Sequence, residues 1–280
     1  MIDPRDAGEI HTLDTQTGQM SRHSIKDSLK GMNPALFPFS FYQFDMTSYY
    51  HYNFDDNRLK LSRQSFRLKG ITINRAVQLS EKKYATLGFF RTGLLGLYDE
   101  KSREMNYYGH YPRSVYIPME PLAMARIVQS FQGNIAYSEK YSKVIYCSFN
   151  FAYIACYQFT GRKLKFVWEH HIVPPPEVSV VDGYLKREQQ EQQGNFSGVT
   201  IAGDYIFACY SQKSVVDTMS VNTHQILVYN MKGVQVATFH IDHPLSDIAV
   251  DMEEKIIYGI SFVYDPVIVR FRFDDDMLQQ

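Results

Sequence analysis

The residues best suited to bind a ligand lie in two predicted loops in the first half of the chain. Arg91 belongs to one loop, and His110, Tyr111 and Arg113 belong to the next. The arginines offer planar donor groups for a carboxylate or a phosphate, while the histidine and the tyrosine offer ring stacking and hydrogen bonds. We predict that these four residues form the binding site. A simple turn at residues 109–112, Gly-His-Tyr-Pro, is the alternative, and it stays open.

Motifs that carry catalysis are missing from the sequence. It contains no GxxxxGK[ST] or GxGxxG phosphate loop, and residues 195–198, Asn-Phe-Ser-Gly, lack the first glycine of a GxSxG nucleophile motif. His170 and His171 are adjacent, so in a strand their side chains point to opposite faces and do not share a metal. We therefore predict no catalytic residues, no metal site and no cofactor.

Acidic and aromatic clusters offer weaker candidates. Residues 55–57 and 274–276 are acidic but lack EF-hand spacing, so we expect a polar turn and a solvated tail. The tyrosines at 49–52 and 107–108 could stack on a sugar or a base, although strand tyrosines more often pack between sheets.

The three cysteines, Cys147, Cys156 and Cys209, each lie in an apolar, strand-like run. None belongs to a CxxC pair, and an odd number does not indicate a disulfide framework. We predict three buried, reduced thiols, with a bond between Cys147 and Cys156 as the alternative.

A repeating strand–turn–strand pattern supplies the elements that position these residues. The second strand of the unit recurs as Lys-Val-Ile-Tyr at 143–146, Asp-Tyr-Ile-Phe at 204–207 and Lys-Ile-Ile-Tyr at 255–258. The units repeat every ~40–50 residues, which is typical of four-stranded propeller blades. We therefore predict an all-β, six-bladed β-propeller with four-stranded antiparallel blades, in a single domain over residues 1–280. The predicted blades are residues 8–25 (partial), 36–68, 71–109, 127–168, 196–241 and 245–273.

Three details of this fold remain to be tested. The last unit shows only three strands, so we expect a strand of the N-terminal segment to complete it and close the ring. Residues 120–132 fit a short helix or a strand, and residues 185–193 fit a surface helix. An all-β sandwich is the main alternative fold.

The lengths of the predicted loops indicate which face of the propeller binds. In blades of four up-and-down strands, the loop between strands two and three emerges on the same face as the connection to the next blade. The longer connections belong to this class, and binding loops gather in the same way on a rigid scaffold. Residues 91–93, 110–113, 171–195 and 212–224 are therefore expected together on one face.

The chain resembles the TolB-like six-bladed propellers of Bacteroides-type cell envelopes. The stretches that carry the resemblance are residues 17–18 with 31–34, 109–112, 205–211, 226–233, 246–251 and 257–259. The resemblance implies a periplasmic or envelope-anchored location, but it implies no established reaction and no catalytic residues.

Composition narrows the class of partner. A net charge of −1 argues against a nucleic-acid binder, and no apolar run approaches the length of a membrane helix. The first 14 residues carry no signal-peptide pattern. We expect a non-catalytic binding propeller whose partner is an unknown protein, small molecule or glycan. A propeller hydrolase or lyase acting on carbohydrate, or on a related small molecule, is the alternative.

Overall fold

The structure is a computed structural model. It describes residues 9–14, 16–24, 32–35, 40–43, 48–55, 58–67, 72–111, 115–173, 178–182, 184–187, 194–212, 223–261 and 267–278. Side chains are described for residues 14, 16–21, 72–111, 115–173, 180–182, 194–212, 223–261 and 267–278.

The N-terminal half contains a two-stranded sheet followed by two four-stranded antiparallel sheets. The two-stranded sheet consists of β1 (Glu9–Leu13) and β2 (Met20–Ser24). Blade A consists of β3 (Met32–Ala35), β4 (Ser40–Gln43), β5 (Ser48–Asp55) and β6 (Arg58–Arg67). Blade B consists of β7 (Ile73–Ser80), β8 (Lys83–Gly88), β9 (Leu95–Asp99) and β10 (Glu104–Tyr108).

The C-terminal half continues the same antiparallel order. After α1 (Pro121–Gln129), blade C consists of β11 (Gly133–Ser138), β12 (Lys143–Ser148), β13 (Tyr153–Phe159) and β14 (Leu164–His171). A hairpin of β15 (Val178–Val181) and β16 (Tyr184–Arg187) leads to blade D. Blade D consists of β17 (Asn195–Ala202), β18 (Tyr205–Ser211), β19 (Thr223–Asn230) and β20 (Gln235–Leu245). The terminal sheet consists of β21 (Asp247–Asp251), β22 (Ile256–Ser261) and β23 (Val267–Arg272), and a 3-10 helix (Asp275–Leu278) follows it.

The fold is thus all-β and propeller-like, as predicted, but the number of four-stranded blades differs from the prediction. Four four-stranded blades are seen among the described residues, where the repeat count predicted six. The terminal sheet has three strands, and β1 and β2 pair with each other rather than with β23. The expected closure by an N-terminal strand is therefore not seen in the described part of the chain.

Two local predictions also need correction. The first strand of blade A, β3, lies before residue 36, where the repeat placed the start of this blade, so blade A begins earlier than predicted. The predicted surface helix at residues 185–193 begins instead as the strand β16, and residues 188–193 lie outside the described residues.

The first of the two predicted helices is present as α1. Glu120 precedes it, and its carboxylate accepts hydrogen bonds from the backbone N–H groups of Leu122 and Ala123. Pro121 occupies the first turn, where its missing N–H costs nothing. These start signals outweighed the alternative reading of the segment as a strand.

The core lies between neighbouring blades. The second strands β8 and β12 are buried along almost their whole length, whereas the outer strands β10 and β14 are mostly exposed. One apolar cluster joins blades B and C, a second joins blades C and D, and a third joins blade D to the terminal sheet. Each blade therefore depends on its neighbour to cover its apolar face.

The first strands of the blades surround a common space. Strands β7, β11, β17 and β21 contact one another in succession. Arg75 on β7 also attracts Asp247 on β21, which lies beyond two intervening first strands. The four strands must therefore curve around one axis, and we call the space between them the channel. We call the end at which they begin the loop face.

The cysteines confirm the prediction of a core position. Cys147, Cys156 and Cys209 are all buried and unbonded. Burial raises the pKa of each thiol, and that of Cys156 reaches about 12. Among the helices that the described residues form, none has the length and apolar character needed to cross a membrane.

The core assignment predicts the effect of truncating a side chain between blades. Ile206 is fully buried in the cluster between blades C and D. Ile206→Ala should lower the free energy of unfolding by about 2–5 kcal/mol, because it removes buried apolar contacts and leaves a cavity. Val234→Ala is the control, and it should change the free energy of unfolding little, because Val234 is 57% exposed. Urea denaturation measures both variants, and equal losses would contradict the assignment.

Candidate functional site

Polar side chains recur where the first strands of the blades begin. Asn74 and Arg75 lie near the start of β7, Asn134 lies near the start of β11, and Ser197 and Asp247 lie near the starts of β17 and β21. All of them lie at the loop face, because each first strand runs away from it. The structure thus brings together residues that are up to 173 positions apart between Asn74 and Asp247 in the sequence.

Irregular strand pairing helps to aim these side chains. The register between β7 and β8 shifts at Asn74, and the register between β17 and β18 shifts at Ser197. An extra residue in one strand of a pair bends that strand and redirects its side chains, and such bulges are common beside functional sites. Two bulges at the same end of the channel therefore mark this end as the candidate site.

Asn134 links three first strands. Its amide oxygen accepts a hydrogen bond from Nε of Arg75 at 3.3 Å, and its amide nitrogen donates to the carbonyl of Ser197 at 2.6 Å. The guanidinium of Arg75 also donates through Nη1 to the carbonyl of Asn74 at 3.0 Å. These bonds fix the plane of the Arg75 guanidinium at the end of the channel.

Gln132 fixes the rim of the site on the side of α1. Its side chain accepts a hydrogen bond from Asn74 at 2.8 Å and donates to the carbonyl of Gly88 at 3.0 Å. It also donates to the carbonyl of Val128, in the last turn of α1, at 3.3 Å. The end of the helix and the beginning of β7 are therefore held together by one amide side chain.

Asp247 supplies the negative charge of the site. Its carboxylate lies directly over Gly198, where any Cβ atom would collide with it. The residue is exposed to solvent, yet protein surrounds the carboxyl closely enough for desolvation to raise its pKa to about 6. The backbone N–H of Ile248, which donates to Oδ1 at 2.9 Å, and the charge of Arg75 both oppose this rise.

The protein around Arg75 also disfavours the charged form of its side chain, which for an arginine means a lower pKa. Burial lowers the pKa of its guanidinium, and the attraction of Asp247 partly offsets this effect. The arginine stays charged at neutral pH, because a guanidinium ordinarily loses its proton only far above that range. The site therefore combines a fixed planar cation, a carboxyl that titrates near pH 6 and several amide groups. Such a set can bind polar molecules and can exchange a proton.

Three of the four residues proposed from the sequence, Arg91, His110 and Tyr111, lie at the loop face but outside this cluster. Arg91 and His110 are exposed. The hydroxyl of Tyr111 donates to the carbonyl of Phe90 at 2.7 Å, and its ring packs edge-on against Phe131 at 5.1 Å. The connection after β10 therefore touches the loop between β8 and β9. Arg113 lies outside the described residues.

The other sequence candidates have structural partners. His170 stacks on Tyr229 in blade D with a centroid distance of 5.6 Å, whereas His171 packs against Tyr153 in blade C at 4.7 Å. Among the described residues, no group of three or more His, Cys, Asp or Glu side chains is arranged to hold a metal ion. Asp275 pairs with Lys255 at 2.6 Å, and Tyr107 packs against Phe90 at 5.2 Å.

Sequence reasoning missed the residues of the channel because it looked for polar clusters within loops. The signal that could have found them is positional. Asn74, Asn134, Asn195 and Asp247 each stand within the first two residues of a first strand. Aligning the repeat units on their first strands would have placed these four residues in one ring.

Comparisons with known proteins support the fold alone. No family model matches the chain, and no curated protein matches its sequence. A luciferin-regenerating enzyme has a similar structure, with a TM-score of 0.53 and 11% identity over 96% of this chain and 85% of that chain. A functionally unknown protein from Desulfotomaculum acetoxidans DSM 771 also has a TM-score of 0.53, with 8% identity over 99% of this chain and 76% of its own. Likeness at these identities carries no function from one protein to the other.

The raised pKa of Asp247 predicts how stability depends on pH. A folded-state pKa of about 6, above the ordinary 3.8, means that folding favours the protonated carboxyl. Its stabilising contribution is complete below about pH 4 and is lost as the pH rises through about 6. Asp247→Asn should therefore leave the Tm nearly unchanged at pH 4 and raise it, relative to the unmodified protein, at pH 7 and above.

Thermal unfolding between pH 4 and pH 8 measures this difference. Asp242→Asn is the matched control, because Asp242 is an exposed carboxylate on the outermost strand of blade D. A Tm difference for Asp247→Asn that stays constant across the range would contradict the assigned environment.

Proposed function

We propose that this chain is a non-catalytic binding propeller whose ligand occupies the loop-face end of the channel. The observation that carries the proposal is the meeting of Arg75, Asn134 and Asp247 from three different sheets. Binding sites commonly consist of a few polar groups that converge on a concavity in a rigid scaffold. Hydrogen bonds hold Arg75 and Asn134 in place, so little ordering is required when a ligand binds.

A binding role accounts for this set of groups better than hydrolysis does. Glycoside hydrolysis commonly uses two carboxyl groups in separate roles. Asp247 is the one acidic side chain that the described residues place beside Arg75 and Asn134. A hydrolase or lyase acting on carbohydrate, or on a related small molecule, remains the second candidate. The pKa of about 6 at Asp247 favours it, since a general base works best near the ambient pH.

The rim of the loop face extends the proposed surface. Arg91 and His110 are exposed there, and Tyr111 fixes the connection that carries His110. Together with Arg113 they form the outer part of the proposal, where a larger glycan or a protein partner would touch the chain. From the resemblance to TolB-like propellers we propose that such a partner belongs to the periplasm or the cell envelope.

The channel does not depend on the total number of blades. It requires β7, β11, β17 and β21, which belong to blades B, C and D and to the terminal sheet. A ring of six units, as the repeat suggested, would count the terminal sheet and the sheet of β1 and β2 as incomplete blades. The arrangement of six units around one ring is therefore part of the proposal.

A ligand screen with channel variants tests the function. Thermal-shift measurements with glycans, peptides and small polar metabolites should find compounds that raise the Tm of the unmodified chain. Arg75→Met and Asn134→Ala should each weaken binding of such a compound at least about tenfold, because charge-assisted and buried hydrogen bonds are lost.

Arg162 provides the matched control. It is exposed in the turn between β13 and β14, at the opposite end of the blades. Arg162→Met should leave the affinity unchanged. A ligand that binds Arg75→Met and Asn134→Ala as tightly as the unmodified chain would remove the channel from the proposal. In that case Arg113→Ala would test the rim instead.

A further inference from the structure

The two charged groups of the channel attract each other without forming a salt bridge. Each contributes an electrostatic interaction to the other. The ion pairs formed among the described side chains join other residues, namely Lys83 with Asp99, Lys140 with Asp204 and Lys255 with Asp275. A cation and an anion therefore lie near each other on the channel wall, and among the described residues they are not bonded to each other.

Neutral partners hold the Arg75 guanidinium. The acceptors of its hydrogen bonds are the side-chain amide of Asn134 and the backbone carbonyl of Asn74. These bonds use Nε and one N–H of Nη1, and the described residues provide no acceptor for Nη2. Nη2 and the remaining N–H of Nη1 are thus available, as far as the described residues go, to donate to a ligand carboxylate.

Asp247 is also stabilised by a neutral group alone. Its Oδ1 accepts a hydrogen bond from the backbone N–H of Ile248 at 2.9 Å. The described residues provide no donor to Oδ2. An ionised carboxylate whose second oxygen has no described donor can bind an ammonium group through a bond that is charge-assisted on both sides.

The pair of charges also restricts the class of ligand. A simple anion drawn to Arg75 meets repulsion from Asp247, and a simple cation drawn to Asp247 meets repulsion from Arg75. A neutral polyol makes hydrogen bonds to both groups but cancels neither charge. A molecule with both charges compensates both groups at once.

On the basis of the proposed function, we infer that the channel ligand is a small zwitterion, such as a free α-amino acid. Its carboxylate binds the Nη1–Nη2 edge of Arg75, and its ammonium group binds Asp247. Asn134 carries no charge and contributes to binding by fixing the orientation of the Arg75 guanidinium through a hydrogen bond. The side chain of the ligand then points along the channel axis or out through the loop face.

Calorimetric titration with free L-amino acids tests this inference. For the amino acid that binds best, the amide derivative lacks the carboxylate and the N-acetyl derivative lacks the ammonium group. Each derivative should bind at least about tenfold more weakly, because each loses one charge-assisted contact. Arg75→Met should abolish the preference for the acid over the amide, and Asp247→Asn should abolish the preference for the free amine over the N-acetyl form.

The variants are first compared with the unmodified chain by circular dichroism and thermal unfolding. Arg162→Met and Asp242→Asn, both exposed and remote from the channel, serve as charge-matched controls and should retain both preferences. Selectivity within one folded variant is the decisive readout, because a general loss of stability would weaken all three compounds alike.

The outcomes separate this inference from the proposed function. If a neutral saccharide binds in a manner that depends on Arg75 and Asn134 while no amino acid binds, the zwitterion is overturned and the binding role stands. Amino-acid binding that is indifferent to both blocking groups also overturns it. If the channel variants affect no ligand of either class, both the inference and the proposed function fail.

Discussion

Each blade has an inner edge without a neighbouring strand, and this constraint shapes the centre of the molecule. Strands β7, β11, β17 and β21 are terminal strands in their sheets. Their inward backbone groups need partners that the ladder does not supply. Asn134 supplies one by donating to the carbonyl of Ser197, and Arg75 supplies another by donating to the carbonyl of Asn74. The polar wall of the channel therefore follows from the architecture.

The same side chains join the blades at the end where the site lies. Apolar clusters hold neighbouring blades together without fixing their exact positions, because dispersion and the hydrophobic effect have little directionality. Hydrogen bonds are directional. The bonds of Gln132 to Asn74 and to the carbonyl of Gly88 set the position of α1 and blade C against blade B. Geometric precision is thus highest where ligand binding would require it.

The sequence specified the strands better than their assembly. The runs that became β8, β12 and β18 are apolar and bounded by turn residues, so their existence and type followed from composition. The start of blade A was placed after β3, and the unpaired edge of β23 was assigned a partner on topological grounds alone. The face could be chosen from loop lengths, but the site could not. Asn134 and Asp247 are single polar residues whose meeting depends on how separate units curve together.

The need to satisfy inner edges explains the amides of the channel but not its charges. Neutral side chains would serve the carbonyls of Asn74 and Ser197 without the cost of desolvating an ion. Asp247 serves one backbone group, the N–H of Ile248, and desolvation raises its pKa to about 6, so the fold disfavours its ionised form. Gly198 must also lack a side chain to accommodate it. A neutral acceptor would serve that N–H equally well, so the charge of Asp247 is the feature that the edge requirement leaves unexplained and that the proposed ligand would use.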